Sequence, residues 1–225
     1  MATTTNAPAT ETPTVGWAIE QSEYDERVRR VRGILEERGL DGLVLFHPLR
    51  IAYVSGFFHA QTERPMAVVI PLDGELGALI PQLEQEHIAK SPGIGRVRVY
   101  PEYPSGGTKH PLLHLVDLLG ELGLAGKRLG YDSDGYGDVN GYDGPLLTEV
   151  FDGPIARARD IVDGLRMVKS EAELRLIQES AKWGNLAHRL MHRKLSRSLG
   201  RSEIDVGLQA SLEASEMMLA ALGPG

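Results

Sequence analysis

Three short apolar runs constrain this chain most: "LVLF" at 43–46, "MAVVIP" at 66–71 and "LGALIP" at 76–81. Each is too short and too uniformly apolar for an amphipathic helix, and suits a strand buried on both faces. The second and third are joined by "LDGE", where Asp73-Gly74 is a strong hairpin signal. Before the first run comes a helical pattern. Val28, Val31 and Leu35 share one face, Arg27, Arg30, Glu37 and Arg38 are expected in solvent, and Gly39 stops the helix. Ser22 is the expected cap, with Asp25 three residues on.

The alternation continues. "QLEQEHIAK" reads as a short helix, "RVRVY" as a strand, "LLHLVDLLGELG" as a helix and "KRLGYD" as a strand. A further helix is expected over 136–147. Alternating elements with one inserted hairpin predict a mixed sheet of five or six strands over 17–162, with helices on both faces.

The ends differ in character. Residues 1–16 are Thr, Ala and Pro with one acid, and are expected to be a disordered leader without a secretory signal. Near the other end, Ser170 and Glu173 make an S-x-x-E capping box, and Leu174, Ile177, Ala181 and Met191 recur near one helix face. Ser202 and Asp205 repeat the cap, followed by a stripe of Ile204, Leu208, Leu212 and Leu219.

Composition excludes some chemistry. The 225 residues contain no cysteine, so disulfides, thiolate nucleophiles and cysteine-held metals are ruled out. The formal charge of −7 argues against nucleic acid, although 157–201 holds eleven basic and five acidic residues. Without aromatic interleaving beyond Trp183, that basic span is read as bordering an acidic body or a partner chain. No run approaches the length of a membrane span. "GGTKH" lacks the frame of a phosphate loop, and no G-x-G-x-x-G occurs. His110 and His114 lie four apart in "HPLLH", without the glutamate of a zinc peptidase helix, and His188 and His192 have arginine neighbours. Asp132, Asp134 and Asp138 fall short of the EF-hand pattern, with Tyr136 at position five and Asp143 at twelve.

The ordered set "YDERVRRVRGILEERGLDGLVLF", "IAYVSGF", "RPMAVVIPLDGE" and "GLRMVKSEAELRLIQESA" resembles the creatinase and Xaa-Pro peptidase family. The resemblance runs from about Tyr24 to Leu222. It implies a creatinase/prolidase-like α/β domain at 17–163, followed at 164–225 by the linker and first helices of a "pita-bread" catalytic domain. It further implies that the chain is the front part of a longer cytoplasmic, homodimeric hydrolase acting on a peptide or small amide. In such relatives two divalent metal ions (Mn, Co or Zn) are held by two aspartates, a histidine and two glutamates from later strands, and generate the attacking hydroxide. No position here matches those ligands, so this chain alone is expected not to catalyse. The alternative is a non-catalytic scaffold of the same fold. The resemblance also points to the loop "FFHAQTERP" as part of a substrate mouth, with Arg64, His59 and Phe58 as candidate contacts. A guanidinium forks well onto a carboxylate. Phe57 and Phe58 are both expected to pack more readily than to recognise a substrate. Where relatives commonly carry asparagine, this chain has Arg50.

Overall fold

The computed structural model describes residues 18–91, 93–102, 109–135, 142, 144–196 and 200–222. The leader at 1–16 lies outside these residues. The chain divides into two compact units, Ile19–Val168 and a unit that includes everything from Lys169 onward.

In the first unit the apolar runs form a six-stranded mixed sheet of order β4-β3-β2-β1-β5-β6. Its strands are β1 (Gly42–Leu45), β2 (Ala67–Pro71), β3 (Leu76–Pro81), β4 (Ile94–Tyr100), β5 (Leu129–Tyr131) and β6 (Ile155–Arg157). The Asp73-Gly74 turn joins β2 and β3 as an antiparallel hairpin, with Val68 opposite Ala78. β1 pairs antiparallel with β2 and parallel with β5, and β5 pairs parallel with β6.

Period-two alternation divides the core into two layers. Leu43, Leu45, Val68, Ile70, Ala78 and Ile80 face one side. There they meet Val28, Val31 and Leu35 of α1 (Gln21–Arg38), Ile51 and Val54 of α2 (Pro48–Ser55), and Ile161, Val162 and Leu165 of α6 (Arg159–Met167). Val44, Val69 and Leu79 face the other side, against Leu112, Leu115, Leu118 and Leu119 of α4 (Pro111–Glu121). α3 (Gln85–Ile88), after a 3-10 turn at Gln82–Glu84, contributes Ile88 to the first layer. Most of the helix expected at 136–147 lies outside the described residues; a single turn, α5 (Leu147–Val150), follows it.

Two local expectations are corrected. Ser22 does not cap α1. The helix starts at Gln21 with Glu20 as its extended N-cap residue, and Asp25 instead accepts a 2.9 Å bond from Gln21 Nε2. Nor is Arg27 in solvent: it is buried, donates from Nη1 to the Tyr53 carbonyl at 2.8 Å, and lies 4.2 Å from the Tyr53 ring centroid. A cation over an aromatic face with a carbonyl acceptor offsets the loss of hydration. The glycine stop at the other end of α1 forms as expected, with Gly39 at φ +62° and its neighbour Leu40 donating to the Leu35 carbonyl.

The second unit contains α7 (Glu171–Ser196) and α8 (Glu203–Leu222). The Ser170 capping box is complete: Glu173 N donates to Ser170 Oγ, and Ser170 N donates to the Glu173 carboxylate at 2.9 Å. Ser202 accepts from Asp205 N at 3.2 Å. Lys194 and Arg193 on α7 pair with Glu213 on α8, Lys194 at 3.0 Å.

Candidate substrate-mouth loop

α2 positions the loop. Its last hydroxyl, Ser55 Oγ, donates to the Ile51 carbonyl at 2.7 Å and accepts from Phe57 N at 3.2 Å. Between them Gly56 adopts φ +71°, a left-handed turn, and a Cβ there would come 3.1 Å from the Tyr24 ring. Phe57 is therefore turned into the core and buried. The His59 ring stacks on it at 5.0 Å and 23°, and the His87 ring of α3 meets it at 5.0 Å and 56°. His87 Nδ1 is 2.8 Å from the Glu84 carboxylate. Both His59 ring nitrogens are out of water and form no hydrogen bond of ordinary geometry. Burial pushes the His59 pKa down, and the nearby Glu84 carboxylate opposes that fall. Phe58 points the other way and is 65% exposed.

At the far end, Arg64 N donates to Thr62 Oγ1 at 3.2 Å. Its guanidinium is 3.1 Å from the Glu63 carboxylate and 3.9 Å from that of Glu102, which also accepts from Leu83 N. Tyr100 Oη donates to the Pro65 carbonyl at 3.0 Å and ties the loop end to β4. The loop is thus anchored at both ends. It presents Phe58 to solvent, keeps His59 against Phe57, and holds Arg64 beside carboxylates that a bound anion would have to replace.

A second cluster lies where the parallel strands β1 and β5 end. Asp132, buried just after β5, accepts from Phe46 N at 2.8 Å and His47 N at 3.0 Å. Arg50, on the first turn of α2, reaches Asp132 at 3.3 Å from Nη1. The same guanidinium forks onto Asp163 of α6, with Nε and Nη2 each at 2.9 Å. Hydrogen bonding to Arg50 holds the Asp163 carboxyl below its usual range, and the same bond raises the arginine. The only sequence signal for this cluster was the arginine at a position where asparagine is common.

The sequence profile of the creatinase/prolidase N-terminal domain matches residues 27–168. The chain belongs to that family. No curated protein matches it. Among solved structures it is similar to the dipeptidase PepE from Mycobacterium ulcerans, with a TM-score of 0.61 and 22% identity over 88% of this chain and 50% of that one. The Xaa-Pro dipeptidase from Bacillus anthracis gives a TM-score of 0.63 and 20% identity over 86% and 49%. The prolidase from Pyrococcus horikoshii OT3 gives 0.60 and 16% over 85% and 48%. At these identities the likeness is one of fold, and the chain spans about half the length of these three structures.

The family match ends at the same residue as the first compact unit, Val168. The creatinase/prolidase domain thus includes both clusters described above. Among the described residues no group of three or more His, Asp or Glu is arranged to hold a metal ion. The candidate ligands are otherwise engaged. His110 caps α4 by accepting from Leu112 N at 3.1 Å. Asp134 accepts from Thr148 N and Oγ1 at 2.9 and 2.8 Å. Tyr136, Asp138 and Asp143 of the calcium reading lie outside the described residues. The described residues therefore do not fit a two-metal centre, and no step through such a centre is derived from them. Among them, too, no helix is long and apolar enough to cross a membrane.

Proposed function

We propose that this chain is the N-terminal half of a metal-dependent Xaa-Pro peptidase or closely related amide hydrolase. One observation supports the reading above the rest: the fold it shares with a dipeptidase, an Xaa-Pro dipeptidase and a prolidase extends past the family domain, over 85–88% of this chain. In this reading the two metal ions and the bond-breaking chemistry belong to the remainder of a longer, homodimeric, cytoplasmic protein. The creatinase/prolidase domain shapes the substrate mouth and helps pair the subunits. The loop at 57–65 is the mouth element. Phe58 is its exposed apolar contact, His59 its half-buried support, and Arg64 the group that receives a substrate carboxylate in exchange for Glu63 and Glu102.

The test is Arg64→Ala in the longer protein, with kcat/KM on an Xaa-Pro dipeptide and Tm measured on the same preparation. A charge-assisted fork is worth about 1.5–3 kcal/mol, so kcat/KM falls about tenfold to a hundredfold while Tm changes little. Lysine recovers only part, because it supplies a point charge and no fork. Normal kinetics with a lowered Tm would make Arg64 a packing residue and remove it from the mouth.

A further inference from the structure

The sequence uses the same three residues, His-Pro-Leu, at the start of two helices on opposite faces of the sheet: His47-Pro48-Leu49 before α2 and His110-Pro111-Leu112 before α4. In both, proline occupies the first helical position, where its missing N–H is no loss. In both, the histidine is the N-cap and its Nδ1 accepts from the leucine N–H, at 3.2 Å for Leu49 and 3.1 Å for Leu112. Serine, aspartate and asparagine are the usual caps there, because their oxygen accepts at any pH near neutrality. An imidazole accepts only while neutral. Once Nδ1 takes a proton it becomes a donor, and its positive charge then faces the positive end of the helix dipole.

The surroundings of His110 favour one tautomer. Tyr142 Oη donates to the Pro145 carbonyl at 2.8 Å, so its oxygen is left to accept from His110 Nε2, 3.4 Å away. That contact requires the proton on Nε2 and leaves Nδ1 as the acceptor, which is what the cap needs.

We propose that His47 and His110 are acid-released helix caps, holding α2 and α4 closed near neutral pH and letting go when their imidazoles become protonated. The groups around each ring define the balance. His47 faces Arg50 on its own helix, Asp132 after β5, and Asp163 and Arg166 on α6, with His59 of the loop also within range. Burial and Arg50 lower its pKa, and the two aspartates oppose them. Among the described residues the titratable group facing His110 is Tyr142, which burial keeps neutral, and among them burial alone lowers the histidine. The sign follows. A native pKa below the unfolded value of about 6.5 means the unfolded chain takes up protons first. The cap contribution is complete above pH 6.5 and is lost as pH falls through the lowered native values. Release at His47 loosens the first turn of α2, which carries Arg50 and leads into the loop at 57–65.

The test compares the full chain with the H47N/H110N double variant, since asparagine caps without titrating. Tm is measured at pH 7.5 and pH 5.5. The remaining histidines act equally in both proteins, so the wild type should lose about 4–8 °C more than the variant on acidification. Equal losses overturn the proposal. Should the variant fail to fold, imidazole nitrogen NMR of the wild type decides the question. Both histidines must show an unprotonated Nδ1 at pH 8 that takes a proton below pH 6.5, and a proton on Nδ1 at pH 8 in either one overturns it.

Discussion

Arg50 joins three parts of the chain that are far apart in sequence. Its partners are 82 and 113 residues away, and its side chain is 9% exposed. Asp132 is fully buried as a side chain and keeps two backbone donors without Arg50, whereas Asp163 is one-third exposed. Arg50→Ala thus strands one buried carboxylate in part and leaves the other to the longer contacts of Arg159 and Arg166, at 3.4 and 3.5 Å. Breaking a buried pair in this way costs about 3 kcal/mol, near the lower end of the range because backbone bonds to Asp132 survive. The urea midpoint at pH 7 should fall accordingly, and a loss smaller than about 0.5 kcal/mol would place the network among surface pairs. The depressed Asp163 pKa gives a second signature. Its stabilisation is present above the unfolded carboxylate value of about 3.9 and fades as pH falls through the lower native one, so the variant should also lose part of the wild-type acid slope below that unfolded value. Sequence showed an arginine in an unusual place here, and nothing more, because pairing across such separations is set only by the topology.

At the scale of elements, what could be read depended on whether an element has two unlike faces. α1 and α4 have such faces and are legible in place, while the β2–β3 hairpin, buried on both faces, is legible from its two apolar runs and the Asp73-Gly74 turn between them. α2 is not. Six of its eight residues are buried, so it lacks the polar face that marks a surface helix, and Pro48 and Gly56 at its ends read as loop punctuation. β6 was missed for the opposite reason, being three residues long with no fully buried position. The stripes of α7 and α8 were legible as patterns, yet periodicity alone does not say which apolar face is covered. Leu190, Val206 and Ala210 are buried, while the marked residues Ile177, Ile204, Leu208, Leu212 and Leu219 are 52–70% exposed. Such helices draw little stability from packing. Amide exchange in the chain should therefore be at least about a hundredfold faster over 174–222 than in β1, β2 and β3. Equal protection would contradict the exposure of those stripes.

For the whole molecule, the mixed sheet with two helical layers followed from the alternation of runs, and the family followed from an ordered set of motifs. The candidate mouth is legible in sequence as a loop and not as a geometry. Gly56 and the Ser55 hydroxyl decide that Phe57 goes inward and Phe58 outward, and neither choice is written in "FFHAQTERP" itself. The central claim, that this domain serves a metal-dependent Xaa-Pro hydrolase, is tested most directly by the hydrolysis rate of an Xaa-Pro dipeptide by the longer protein. The rate is measured with divalent metal, after chelation, and after the metal is returned. Cleavage should disappear on chelation and recover with Mn, Co or Zn. A folded, metal-loaded protein that leaves Xaa-Pro dipeptides and related small amides intact would contradict it and favour a non-catalytic scaffold.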